Sequence, residues 1–324
     1  MGDLLTGFIN SKIIIAFGLG LIISLILGPI IIPILHKMKF GQNIREEGPK
    51  SHLKKAGTPT IGGLIFLISI TIVMILMRYK LSDEAMIVLY GTLAFGFIGF
   101  LDDMLKIIHK HNEGLTSGQK FSLQLLFSAG MAFYGYMNIG TTISIPFTNA
   151  QWTLGWLFIP FVMFYFTAMT NAVNLTDGLD GLASSVTVLT LTFFSIAAYH
   201  LGYYSVAVFA IALTGALIGF LRYNAYPAKV FMGDTGSLAL GGALASIVLV
   251  LKTPFLVMIV GGIYVMEVLS VIIQVTSFKI TGKRVFKMAP LHHHFEQIGW
   301  SEVKIVTIFS IITLFLCIVG FMSL

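Results

Sequence analysis

Apolar residues in this chain come in long runs separated by short polar stretches. An α-helix needs about 20 consecutive apolar residues to cross the hydrocarbon core of a bilayer. Ten runs reach or approach that length: 11–35, 60–78, 85–101, 119–138, 154–172, 181–199, 205–221, 237–252, 254–280 and 304–323. The pattern predicts an all-α integral membrane protein of about ten transmembrane helices, folded as one polytopic domain over 1–324. The eighth run meets the ninth at Lys252-Thr253-Pro254. The ninth is unusual inside as well, with Gly261-Gly262 followed by Glu267 near its middle. An ionisable side chain at membrane depth faces protein or a water-filled cavity. The pattern favours a paired or protonated Glu267 beside a broken helix over a catalytic one.

Composition agrees that lipid is the main solvent. Hydrophobic residues make up 56% of the chain and charged ones 10%, with a mean hydropathy of +0.92; soluble domains carry roughly 25% charged residues. Cys317 is the single cysteine, so no intramolecular disulfide forms. Met1–Ile15 lacks a basic n-region and a small-residue cleavage site, which predicts a retained first span rather than a cleaved leader.

A net charge of +6 and a pI near 9.3 would suit a nucleic-acid partner, but the charges are placed otherwise. Assigning the connections alternately to two sides puts every Lys and Arg except Lys12, Arg78, Lys80 and Lys252 on one of them. Basic loops stay in the cytoplasm. That side is therefore cytoplasmic, both termini are extracytoplasmic, and the partner is the bilayer. The same assignment places Asp102, Asp103, Asp177, Asp180 and Asp234 at the cytoplasmic face.

Carboxylates gathered at one depth suit a hard divalent cation, and phosphates at a membrane surface are commonly handled through one. Asp102-Asp103 ends the third run, where mutual repulsion and the helix dipole both oppose them unless a cation compensates. Asp177 and Asp180, in Asn174-Leu175-Thr176-Asp177-Gly178-Leu179-Asp180-Gly181, share a face if the segment is helical, although one of them could simply cap the sixth helix. Gly233-Asp234-Thr235-Gly236-Ser237 precedes the eighth run, and Asp234 is the strongest single metal-ligand candidate. Lys55 and Thr60 stand at the mouth of the second run, where charge and hydroxyl could hold a phosphate. His292, His293 and His294 are consecutive, so they point in different directions and make a poor zinc site, but they can donate to phosphate. A transporter would carry ionisable groups along its spans, where only Glu267 qualifies, and no internal repeat of fixed period is present.

Five motifs together, Lys55-Ala56-Gly57-Thr58-Pro59-Thr60-Ile61-Gly62-Gly63, Asp102-Asp103, Asn174 to Gly181, Phe231 to Ser237 and the histidine run, resemble the polyprenyl-phosphate N-acetylhexosamine-1-phosphate transferases over essentially the whole chain. Ala289-Pro290-Leu291-His292-His293-His294-Phe295-Glu296 resembles the phospho-N-acetylmuramoyl-pentapeptide transferase branch; the runner-up is a UDP-N-acetylglucosamine transferase of the same superfamily. The resemblance implies transfer of a phospho-sugar from UDP-N-acetylmuramoyl-pentapeptide to undecaprenyl phosphate, giving lipid I and UMP, with Mg²⁺ as cofactor. It implies that Asp234 binds Mg²⁺ with Asp102 and Asp103 beside it, one of that pair deprotonating the lipid phosphate. Asn174, Asp177 and Asn224 would contact the nucleotide, with Thr60, Asp180, Gly233 and Ser237 in the substrate-binding set. Lys55, His292, His293 and His294 would complete the catalytic region. A bacterial plasma membrane and a homodimer are further implications of the same resemblance.

Overall fold

The computed structural model describes residues 11–38, 57–78, 83–109, 114–148 and 150–324. Its helices are α1 (Ser11–Lys37), α2 (Gly63–Leu76), α3 (Glu84–His109), α4 (Ser117–Tyr134), α5 (Phe158–Thr176), α6 (Leu182–His200) and α7 (Tyr204–Asn224). They continue as α8 (Gly233–Leu251), α9 (Pro254–Val260), α10 (Gly262–Thr281), α11 (Leu291–Gln297) and α12 (Glu302–Phe321). Between α4 and α5, β1 (Thr142–Ser144) pairs antiparallel with β2 (Gln151–Thr153), setting Ile143 opposite Trp152.

Eight of these helices are long and apolar enough to cross a membrane: α1, α3, α5, α6, α7, α8, α10 and α12. The protein is a helical membrane protein. The two other expected spans fall on α2, with 14 residues, and α4, with 18, where Gln119, Lys120 and Gln124 dilute the apolar face. Two boundaries differ from expectation at the same place. α3 continues past 101 to His109, and α8 starts at Gly233 rather than 237, so both aspartate motifs lie within helices.

Helices in lipid gain little by burying apolar surface against one another and associate through close contact of small residues. α8 shows this most fully, since 94% of its apolar window is buried by protein. α3 lies along one side, with Gly91 against Ser246, Gly96 against Ala239 and Gly99 against the carbonyl of Asp234. α5 packs on another side, where Gly241 meets the backbone of Thr170. α2 crosses at Gly63, which touches Gly236.

The expected break in the ninth run is present. Lys252, in left-handed conformation at φ 59°, ends α8, and Pro254 opens the short α9. Gly261 then separates α9 from α10. α10 is covered by little protein, with only 22% of its apolar window buried, and Leu269, Ile272, Ile273 and Phe278 are exposed along it.

Gly99→Ala places a methyl group into the backbone of Asp234, an overpacking expected to lower stability by about 1–3 kcal/mol. Gly130→Ala, on α4 with nothing within 4 Å of the new Cβ, is expected to leave the melting temperature unchanged or raise it. Thermal unfolding of both variants in one detergent checks the contrast.

Candidate active site

The site is organised around the beginning of α8. Gly233 turns the chain into that helix with φ +73°, and a Cβ there would strike Asp103 Oδ2 and Thr60 Oγ1. Pro59–Gly63 runs beside it, with Phe231 N–H donating to the Pro59 carbonyl at 2.8 Å and Gly63 N–H to Met232 at 2.9 Å. The first amides of any helix lack intrahelical acceptors. Met232, at the cap position of α8, provides no side-chain bond for them.

Asp103, from α3, fills that role. Its Oδ1 accepts Asp234 N–H at 3.2 Å, and its Oδ2 accepts Thr235 N–H at 2.9 Å and Thr235 Oγ1–H at 2.7 Å. The aspartate pair is not opposed by a helix C-terminus, as its position in the sequence suggested. The continuation of α3 to His109 moves that end away, and the positive end of α8 faces Asp103 instead.

Asp234 follows immediately and is enclosed by donors. Oδ2 accepts from Lys120 Nζ at 2.8 Å and Lys106 Nζ at 3.1 Å, while Oδ1 accepts from Asn174 Nδ2 at 2.8 Å. The same Asn174 nitrogen donates to Ser237 Oγ at 2.8 Å. Lys106 also pairs with Asp102 Oδ2 and lies 3.8 Å from Asp103 Oδ1. Asp102 Oδ1 accepts Leu115 N–H at 2.9 Å.

One oxygen from each of Asp102, Asp103 and Asp234 thus lies within 4.8 Å of the others. Three hard oxygen donors gathered this closely could hold a metal ion. The Lys106 ammonium already stands among them, which marks the spot as one where positive charge is stabilised.

The Asn174–Gly181 segment divides its two aspartates. Asp177 ends α5, half-buried, and burial followed by the carboxylates of Asp234, Asp103 and Asp180 holds its carboxyl well above the usual range. Asp180 is committed elsewhere: Oδ2 accepts Ala228 N–H at 2.9 Å, and its own N–H donates to Glu302 Oε2 at 3.4 Å. Neither aspartate caps α6, whose cap position is Gly181, with no side-chain bond to the helix. Asn224 is also internal, accepting from Ser184 Oγ at 2.9 Å and donating to the Val230 carbonyl at 3.1 Å. Asp180 and Asn224 shape the turn that delivers Gly233 and Asp234.

The histidines lie on α11 and take three separate partners. His292 is fully buried against Gly178, its N–H donating to Glu267 Oε1 at 3.2 Å. His293 Nδ1 lies 2.7 Å from Glu296 Oε2. His294 Nδ1 accepts Lys287 N–H at 3.2 Å, and its ring packs on Phe286. Phe295 anchors this short helix by stacking on Trp300, with ring centroids 4.5 Å apart.

A family model described as glycosyl transferase family 4 matches residues 85–252, which contain all three clustered carboxylates. The chain is 66% identical over 324 residues to a phospho-N-acetylmuramoyl-pentapeptide-transferase of Clostridium botulinum (strain Eklund 17B / Type B), covering 100% of both chains. A protein of the same name from Clostridium perfringens (strain ATCC 13124) is 63% identical over 322 residues, with 99% of this chain and 100% of the relative covered. Another, from Clostridium acetobutylicum, is 56% identical over 319 residues. This chain belongs to the phospho-N-acetylmuramoyl-pentapeptide transferases.

In this transferase the structure gathers Thr60, Asp102, Asp103, Asn174, Gly233, Asp234 and Ser237 at one point, with Asp177 close enough to feel their charge. Lys55 lies outside the described residues. Lys106 and Lys120, in the sequence two cytoplasmic charges among many, both bind Asp234. Lys106 had a local signal, three and four residues after the aspartates on one helix; Lys120 had none.

Because Asp103 caps α8, Asp103→Ala is expected to lower stability by about 1–2 kcal/mol. Asp103→Asn keeps one acceptor oxygen and should recover part of that loss without recovering turnover. Melting curves and turnover, measured side by side in metal-free and Mg²⁺-containing buffer, check both statements.

Proposed function

We propose that this enzyme moves phospho-N-acetylmuramoyl-pentapeptide from its UDP-linked precursor to undecaprenyl phosphate, forming lipid I and UMP at the cytoplasmic face of a bacterial plasma membrane. The observation that carries the reading is the cluster of three carboxylates and two lysines that α3, α4 and the start of α8 bring together, in a chain matched over its full length by transferases of that name. The basic loops support the cytoplasmic face. α2 and α4, added to the eight long helices, support a ten-span topology with both termini outside.

The barrier in such a transfer is the approach of two anionic phosphates. An oxygen of the lipid phosphate attacks the sugar-bearing phosphorus, the bridging P–O bond breaks, and its electron pair leaves with UMP. Asp102, Asp103 and Asp234 would hold Mg²⁺, which when bound offsets phosphate charge and favours the leaving group. Lys106 and Lys120 add fixed positive charge beside the same oxygens. Asp103 already accepts three hydrogen bonds, whereas Asp102 accepts one from Leu115 and pairs with Lys106, so Asp102 is the better base for a proton on the lipid phosphate. Asn174 and Asp177 would meet the nucleotide, and His292 and His293 the leaving phosphate. Asp180 and Asn224 would act by holding the turn before α8.

The test is UMP release by purified protein given undecaprenyl phosphate and either UDP-N-acetylmuramoyl-pentapeptide or UDP-N-acetylglucosamine. Release from the muramoyl substrate alone, abolished by EDTA and restored by Mg²⁺, is the expected result; release from the glucosamine substrate alone would reassign the specificity. Asp234→Ala and Asp102→Asn, both folded, are expected to lower kcat on the order of 10²–10⁴-fold. A folded Asp234→Ala variant with normal turnover would remove the metal assignment.

A further inference from the structure

Glu267 is a buried carboxylic acid that the chemistry above leaves unused. It sits on α10, fully enclosed, just after the glycine break. Its carboxylate addresses His292 twice. Oε1 accepts the His292 backbone N–H at 3.2 Å, and Oε2 lies 3.2 Å from His292 Nδ1. Oε2 and Nδ1 nonetheless lie outside hydrogen-bond geometry, and Glu267 Oε2 and both ring nitrogens of His292 are buried without a hydrogen-bond partner among the described residues. Fixing the start of α11 requires one oxygen. The second oxygen stands beside the ring nitrogen.

We infer that Glu267 is a positioning residue, holding the His292 proton on Nδ1 so that Nε2 is bare against the Asp177–Gly178 turn. A carboxylate beside one imidazole nitrogen sets the tautomer and orients the ring, leaving the other nitrogen to take or return a proton. Gly178 belongs to the same arrangement, because a Cβ at that position would occupy the place of His292 Nε2. The neighbouring pair repeats the pattern, with His293 Nδ1 against Glu296 and the two imidazole rings 4.1 Å apart. A purely structural Glu267 would need neither the second contact nor a bare nitrogen facing the nucleotide loop. The inference rests on His292 belonging to the reacting site.

The first measurement is ¹⁵N NMR of histidine-labelled wild-type protein in lipid, with the His292 signals identified by their loss in His292→Gln. A neutral ring protonated on Nδ1 is expected; a neutral ring protonated on Nε2 overturns the inference. The second is steady-state kinetics of Glu267→Gln. That variant keeps an acceptor for the backbone amide but presents a donor to the ring, favouring the wrong tautomer. Its kcat should fall on the order of 10²-fold with KM for both substrates within about twofold. A kcat within about twofold of wild type overturns the inference, as does a loss that adds fully to that of His292→Gln in the double variant. If Glu267→Gln does not fold, the wild-type spectrum decides. A wild-type enzyme that releases no UMP overturns the function itself, whereas an active wild type with an indifferent Glu267→Gln overturns only the role of Glu267.

Discussion

The contact between Asp103 and the start of α8 is the interaction on which the site depends. A carboxylate buried between membrane helices is tolerated only when hydrogen-bonded and electrically compensated. Asp103 receives three donors from Asp234 and Thr235 and faces the positive end of a helix. Those bonds fix the register of α3 against α8, and Gly99, Gly96 and Gly91 let the two helices approach closely enough to make them. With that register set, Asp102 and Asp234 come within reach of one cation, and Lys106 and Lys120 converge on Asp234.

The same device recurs around the site. Asp180 accepts the amide of Ala228, Glu302 the amide of Asp180, and Glu267 the amide of His292. In each case a carboxylate takes an N–H that a turn or the start of a helix has left without a partner. Charge-assisted bonds of this kind are stronger than neutral ones and hold irregular backbone where little apolar packing is available. The loops of this site are therefore braced from the helices behind them, α10 and α12 included.

Element existence was legible because apolar run length is a local property, and every predicted span has a helix under it. The break at Gly261 and the stop at Lys252-Thr253-Pro254 were legible for the same reason. The ends of α3 and α8 were not, because they depend on compensation between residues far apart in the chain. The candidate residues were found by type and clustering, but their roles sorted by tertiary partners. Nothing near Asn224 in sequence predicts Ser184, and nothing near Asp180 predicts Ala228 or Glu302. The expectation that Glu267 is paired holds, and its partner proved to be one of the histidines noted separately.

The capping contact also has a consequence for synthesis. Asp103 and Thr235 are 132 residues apart, so α3 leaves the ribosome well before the helix that satisfies it. At roughly 5–20 residues per second the interval is on the order of ten seconds. Throughout that time a helix carrying two adjacent carboxylates must reside at the membrane without α8. Lys106, one turn further along the same helix, travels with them. α3 therefore carries its own counterion during biogenesis, since the lysine that later faces Asp234 is already beside Asp102 and Asp103 on the nascent helix.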